Sequence, residues 1–522
     1  MNTSITRELG KNDSRGVDAC RDGPLAGVAN PGSVGPWQWL ERRTSGALLR
    51  SGLFGLEREA LRVTPDGRLA LTRHPAAFGA KLGNPRVTVD FSESQLEMIT
   101  PPAPSIDGAL QALAGIRDEV ESVLADSGER LWPLSMPPVL PADEEIPIAR
   151  FDDSPEGRHR ELYRLGLANR YGRRMQMISG IHFSFSFGSA LLEALRSTDQ
   201  GTEAQTWADD AYFRTARSFL RNRWLLVYLS GASPAADDTF APELSQHLRT
   251  VRACCRGCCD FLADYQRHAT SLRVSRFGYA DTSFRRMPVS FNSRAEYVRD
   301  LDALLNTPSE RFARLRPARD GQAVQLNDRV LQRDSEFYAA IRLKGRIRPG
   351  ESHLEAIARN GVHYAEVRIL DIDPSAAEGI AANTLRFLQV LLLDALLTGD
   401  EPLLASEWER LQENHQRVAL AGRRPGLLLQ TATAEVSLRT LATALFARLR
   451  PLATLMDRGL ARVEFGAAVD DAWQSVLNPS RLPSARVHRS MERWNLAHAA
   501  YGARLLDDVA RPVGAERFSG AA

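Results

Sequence analysis

Carboxylates and one imidazole, placed in short segments that alternate with period two, are the groups in this chain best set to do chemistry. Residues 56–63 read Leu-Glu-Arg-Glu-Ala-Leu-Arg-Val, with Glu57 and Glu59 on one side. Residues 87–91 put Asp90 with Thr88, opposite Val87, Val89 and Phe91. Residues 180–187 carry an apolar set (Ile181, Phe183, Phe185, Phe187) and a polar set (His182, Ser184, Ser186). Residues 364–370 turn Glu366 and Arg368 away from Ala365, Val367 and Ile369. Such alternation predicts strands with one face on a core and the other toward water or a ligand. If the four strands share a sheet, one face gathers Glu57, Glu59, Asp90, His182 and Glu366. Carboxylates brought together in this way repel one another unless a cation neutralises them. Oxygen-rich donors suit Mg²⁺ or Mn²⁺ better than Zn²⁺. Taken singly, each residue has an ordinary reading as well: solvated strand glutamates, a satisfied histidine, a surface Glu–Arg pair. Periodicity alone does not bring the strands together.

The elements that must position these groups belong to an α+β chain. Its 522 residues are 43% apolar and 25% charged, which excludes a disordered chain, a fibre or a small disulfide scaffold. With 66 basic against 64 acidic residues, a dedicated nucleic-acid binder is excluded too. Only Lys11, Lys81 and Lys344 are lysines, so arginine and metal ions must do most of the work of meeting any phosphate bound here. The longest apolar stretch, Phe387 to Leu397, is broken by Gln389 and Asp394 and predicts a buried helix, not a membrane span. The start of the chain has no signal-peptide pattern. Five cysteines, four of them at Cys254, Cys255, Cys258 and Cys259, do not form a secreted framework, so a cytoplasmic location is expected. That cluster reads first as inert thiols, with a redox pair and a zinc site as the alternatives. Strand-like segments run to about residue 370 and helical patterns follow. The expected organisation is a loose tail over 1–34, a single catalytic domain over 35–513 and a short tail over 514–522.

The wording of the segments carries more than their periodicity. Gly55-Leu-Glu-Arg-Glu-Ala-Leu-Arg62, Asp90-Phe-Ser-Glu-Ser-Gln-Leu-Glu-Met-Ile-Thr-Pro101 and Gln176-Met-Ile-Ser-Gly-Ile-His182 stand in order along the chain. Tyr228-Leu-Ser-Gly-Ala-Ser-Pro234, Ala269-Thr-Ser-Leu-Arg273, Phe277-Gly-Tyr279 and Glu366-Val-Arg-Ile-Leu-Asp371 continue it. In these motifs, spread from about Trp37 to Leu506, the chain resembles the proteobacterial glutamate–cysteine ligases.

The resemblance implies a curved, mostly antiparallel sheet wrapped by helices, glutamine-synthetase-like, with a helical C-terminal part. It implies ATP-dependent joining of the γ-carboxylate of L-glutamate to the amine of L-cysteine through γ-glutamyl phosphate, the first step of glutathione synthesis. Mg²⁺, with Mn²⁺ as a substitute, is the implied metal, and ATP the co-substrate. By the same resemblance the metal set is Glu57, Glu59, Asp90, Glu97, His182 and Glu366, with Asp90 shared with the cysteine pocket. Arg368 and Glu57 fall at the reacting groups. Arg273, Tyr163, Arg164, Gln176, Tyr279 and Tyr338 fall around the amino-acid substrates, and Lys344 near the nucleotide phosphates. A monomer, free of membrane and nucleic acid and inhibited by glutathione, is expected. A related glutamate–amine ligase with another acceptor is the alternative. A non-catalytic binding protein would have no physical need for the charge cluster, and a metal-dependent hydrolase would split ATP without an amine.

Overall fold

The structure is a computed structural model that describes residues 44–196, 202–240, 267–278, 289–315, 321–399 and 401–510. The tails expected at 1–34 and 514–522, the four-cysteine cluster and Tyr279 lie outside these residues. All the described residues belong to one unit that begins at Thr44.

Each of the four alternating segments is a strand: β1 (Gly52–Val63), β2 (Val87–Val89), β5 (Ile181–Phe187) and β7 (Tyr364–Leu370). Three more join them, β3 (Gln95–Ile99), β4 (Arg130–Leu131) and β6 (Ile341–Lys344). They form one sheet of order β2-β3-β1-β5-β7-β6, antiparallel at every pair, with β4 on the end of β1.

One face of the sheet is apolar. Phe54, Leu56, Phe183, Phe185 and Val367 are buried on it. The rings of Phe54 and Phe183 stack 5.9 Å apart across the β1–β5 pair. Two helices cover this face, α1 (Ile106–Ala125) and α3 (Ala204–Ser230), and α5 (Ala382–Thr398) packs against both of them. The apolar run after Phe387 lies inside α5, and every residue from Phe387 to Leu396 is buried. Its one acid, Asp394, is met by Arg448 at 3.0 Å. No described helix is long and apolar enough to cross a membrane.

The other face opens into the cavity. There α2 (Pro155–Tyr171) begins at Ser154, whose hydroxyl accepts from the Gly157 amide, with Pro155 in the first turn. After β7, one short hairpin, β8 (Leu428–Gln430) with β9 (Glu435–Ser437), interrupts a helical C-terminal part. The helix α6 (Ala405–Ala421) precedes it and packs against α3. The architecture is the expected α+β one: an antiparallel sheet wrapped by helices.

Candidate active site

Register decides which acids meet. On β1, Glu57 stands opposite His182 of β5, and Glu59 stands opposite Glu97 of β3. On β7, Glu366 stands opposite Ser184 of β5 and Arg342 of β6. Between the pairs Ile181–Leu370 and Phe183–Val367 the register of β5 and β7 slips by one residue. This bulge falls at Arg368, and bulges re-aim side chains beside functional sites. Glu57, Glu59, Asp90, Glu97, His182, Glu366 and Arg368 all line one cavity of about 1420 Å³.

The innermost group is Glu57, Glu59 and His182, whose ligand atoms lie within 4.8 Å of one another. His182 Nδ1 is 2.7 Å from Glu57 Oε1, and its Nε2 is 3.7 Å from Glu59 Oε1. Burial and then the nearby Arg368 lower the His182 pKa, against the pull of Glu57. A neutral ring that donates from Nδ1 to Glu57 leaves the Nε2 lone pair facing Glu59, as a metal ligand requires. Glu59 Oε2 in turn accepts from the Gly180 amide at 2.7 Å.

Glu366 is held between two cations. Lys344 Nζ is 3.2 Å away, and Arg368 Nη1 donates to the other carboxyl oxygen. Burial alone would raise its pKa, but Lys344 and Arg368 hold the carboxyl well below the usual range. Glu57 is also pulled down, to about 2, because His182 outweighs its burial. The other three acids go the opposite way. Burial raises Glu59 to about 7, against the pull of Arg273. Burial and then Glu59 raise Asp90 to about 6. Burial, then Glu57 and Asp90, raise Glu97 well above its ordinary value. Buried carboxyls crowded together take up protons unless a cation joins them. Three or more carboxylate donors with one imidazole fit a hard divalent cation at that place.

The remaining expected residues divide. Tyr163, Gln176, Arg273, Tyr338 and Lys344 line the same cavity. Arg164 lines it too, but its guanidinium is spent on the main chain: it donates to the carbonyls of Asp90 and Val89 and lies over the Phe151 ring. It therefore fixes the end of β2 that presents Asp90. Lys344 is buried, bonded to Glu366 and 3.4 Å from His353 Nε2. Burial and then Lys344 lower the His353 pKa to about 4, so the neutral ring accepts from the ammonium. Glu93 binds Lys81 and the amides of His74 and Arg150, while Glu97 faces the cavity.

Three contributors escape the sequence reading. Arg342, beside Glu366 on β6, ties the 335–337 loop by donating to the carbonyls of Ser335 and Phe337. His353 follows the Ser352 cap of α4 (His353–Asn360). Gly180 sits against Arg273, where a Cβ would fall 1.9 Å from Nη2. The alternation Ile341-Arg-Leu-Lys344 is a signal for β6, but four residues are too few to separate a strand from a loop.

A carboxylate-lined sheet face, a cluster that could hold a metal ion and flanking arginines suit an enzyme that handles anionic substrates. The comparisons narrow it. The model of the family "Glutamate-cysteine ligase" matches residues 37–418. A "Glutamate--cysteine ligase" of Clostridium acetobutylicum is 42% identical over 87% of this chain and 95% of its own length. One from Shewanella pealeana is 38% identical over 87% of this chain and 85% of its own. The crystal structure of the Francisella tularensis glutamate–cysteine ligase in complex with AMP matches with a TM-score of 0.76 and 33% identity, over 88% of this chain and 87% of that one. The chain belongs to the glutamate–cysteine ligase family.

Proposed function

We propose that this chain joins the γ-carboxylate of L-glutamate to the amine of L-cysteine at the expense of ATP. The observation that carries the reading is the convergence of Glu57, Glu59, His182, Glu366 and Arg368 in one cavity of a chain that belongs to this family. The AMP bound by the Francisella relative supports a nucleotide as the third substrate.

A carboxylate is a poor electrophile, so its oxygen first attacks the terminal phosphorus of ATP and ADP leaves. The cysteine amine then attacks the carbonyl carbon of the acyl phosphate, loses a proton and expels phosphate. The first step needs alignment and charge neutralisation more than covalent help from the protein. Mg²⁺ would be held by Glu57, Glu59, Asp90, Glu97, His182 and Glu366, and would neutralise phosphate charge there. Arg368, its cationic form strengthened by Glu366 and Glu57 despite burial, faces the transferred phosphoryl group and stabilises the charge that develops on it. Arg273 grips a glutamate carboxylate with its planar fork. Tyr163, Gln176 and Tyr338 border the amino-acid substrates, and Lys344 keeps Glu366 ionised beside the nucleotide. Glutathione, which contains the γ-glutamylcysteine unit, competes with glutamate, and the chain acts as a monomer.

The test is ADP release by purified protein with ATP, Mg²⁺ and L-glutamate, with and without L-cysteine. Cysteine-dependent release with a γ-glutamylcysteine mass supports the reading. Release that ignores cysteine but follows another amine replaces the acceptor, and release with no amine dependence makes the protein a hydrolase.

A further inference from the structure

Asp371 closes the Glu366-Val-Arg-Ile-Leu-Asp motif, one residue beyond β7, and is 2% exposed. It does not line the cavity, yet two separate chain segments meet on its carboxylate. Oδ2 accepts from the Ala232 amide at 2.8 Å and from the Ser233 hydroxyl at 2.7 Å. Oδ1 accepts from the Ser271 hydroxyl at 3.0 Å and lies 3.9 Å from Arg273 Nη1.

The arrangement matters because residues 269–278, which carry Arg273, form no helix or strand longer than a single bridge. Side-chain and main-chain bonds to their surroundings must hold them. Ser233 pairs with Ser271 as an isolated parallel bridge, and the Leu272 amide donates to the Ser233 carbonyl at 2.7 Å. The Arg273 amide donates to Ser233 Oγ at 3.4 Å. The guanidinium is then left poised. Nη2 donates to the Arg368 carbonyl at 3.0 Å, while buried Nε and Nη1 have no hydrogen-bond partner among the described residues. Buried donors of this kind are costly unless a ligand meets them.

We propose that Asp371 is a positioning residue for substrate glutamate: it clamps the 231–234 turn and the 269–273 loop to the end of β7, so that the Arg273 fork stands ready for a carboxylate. This rests on the role given to Arg273 under the proposed function. The carboxylate also balances the buried guanidinium charge without occupying its free donors. An amide at 371 keeps the size, removes the charge, and turns an N–H₂ toward groups that are themselves donors.

Steady-state ligation by the full chain separates the readings, with KM for glutamate and KM for ATP measured apart on Arg273→Lys, Asp371→Asn, their double variant and Ser271→Ala. Asp371→Asn is expected to raise the glutamate KM at least tenfold and to move the ATP KM less than twofold. The double variant is expected to lose no more than Arg273→Lys alone, as groups acting through one another do. A fall in kcat with both KM values unchanged, or fully additive losses, overturns the proposal. Ser271→Ala keeps the charge and removes one donor. It is expected to raise the glutamate KM three- to tenfold, so it carries the test if Asp371→Asn does not fold, and a change under twofold overturns the proposal. An unchanged glutamate KM in Arg273→Lys overturns the role of Arg273 itself, and Asp371's with it. A raised KM there with an unchanged one in Asp371→Asn overturns only the present inference.

Discussion

Glu366 has two cations and Arg368 has one carboxylate in direct contact, and this asymmetry governs what each substitution does. Removing the Arg368 side chain leaves Glu366 still paired with Lys344 at 3.2 Å, so no buried carboxylate is orphaned. Arg368→Ala is therefore expected to lower kcat by about 10² to 10³, the usual cost of one charge-stabilising donor, with an unchanged melting temperature. Near-normal turnover would remove Arg368 from the chemistry. The acids raised by burial point to a second outcome. Glu59, Asp90 and Glu97 are raised by burial and by neighbouring carboxylates, which a divalent cation among them corrects. Chelation with EDTA is expected to abolish ADP formation, and Mg²⁺ or Mn²⁺ to restore it. Full activity in the chelated protein would exclude the metal assignment.

Strands, taken as elements, explain why these residues can meet at all. The apolar face of β5 is tied to the helical layer, and its polar face is thereby aimed into the cavity. Phe183 is fully buried between β1 and that layer, so Phe183→Ala is expected to cost about 3–5 kcal/mol, read from urea unfolding. A loss below about 1 kcal/mol would mean that this face is not the core face. At the start of the same strand, Gly180 does a different job. Its amide holds Glu59, and its missing side chain leaves room for Arg273. Gly180→Ala is expected to raise the glutamate KM at least tenfold, because the guanidinium must move by more than an ångström, and to cost about 1–3 kcal/mol of stability from overpacking. Wild-type affinity for glutamate in that variant would show the contact to be irrelevant.

At the scale of the whole molecule, helix α6 and the 269–278 loop are joined by His415. Its Nε2 donates to the Val274 carbonyl at 2.7 Å, and its Nδ1 is buried without a partner among the described residues. Burial and then Arg223 lower its pKa from 6.5 to about 3. The unfolded chain thus takes up this proton first as pH falls. The stability linked to His415 is fully present above pH 6.5 and drains as the pH drops toward 3, by about 1.4 kcal/mol per unit. Urea midpoints of wild type and His415→Gln, followed from pH 6.5 to pH 5, are expected to converge by about 2 kcal/mol. Parallel curves would show that His415 is not held neutral by the fold.

The chain alone determined the alternation of β1, β5 and β7, the apolar interior of α5, and hence which residues share a strand face. Period-two and helical patterns are local properties of the backbone, readable within ten residues. Its motifs also carried the family. Glu97 was legible only through those motifs, because Glu93 and Glu97 stand in the same short polar stretch. Tertiary structure decided the rest. It set β1 between β3 and β5, which places Glu59 against Glu97 and Glu57 against His182. It put a bulge at Arg368 and turned Arg164 to the main chain of Asp90. It also brought Ala232, Ser271 and Asp371 together from positions 39 and 100 residues apart in sequence. Pairing order and such long-range contacts come from burial summed over the whole molecule, and no local repeat in the sequence records them.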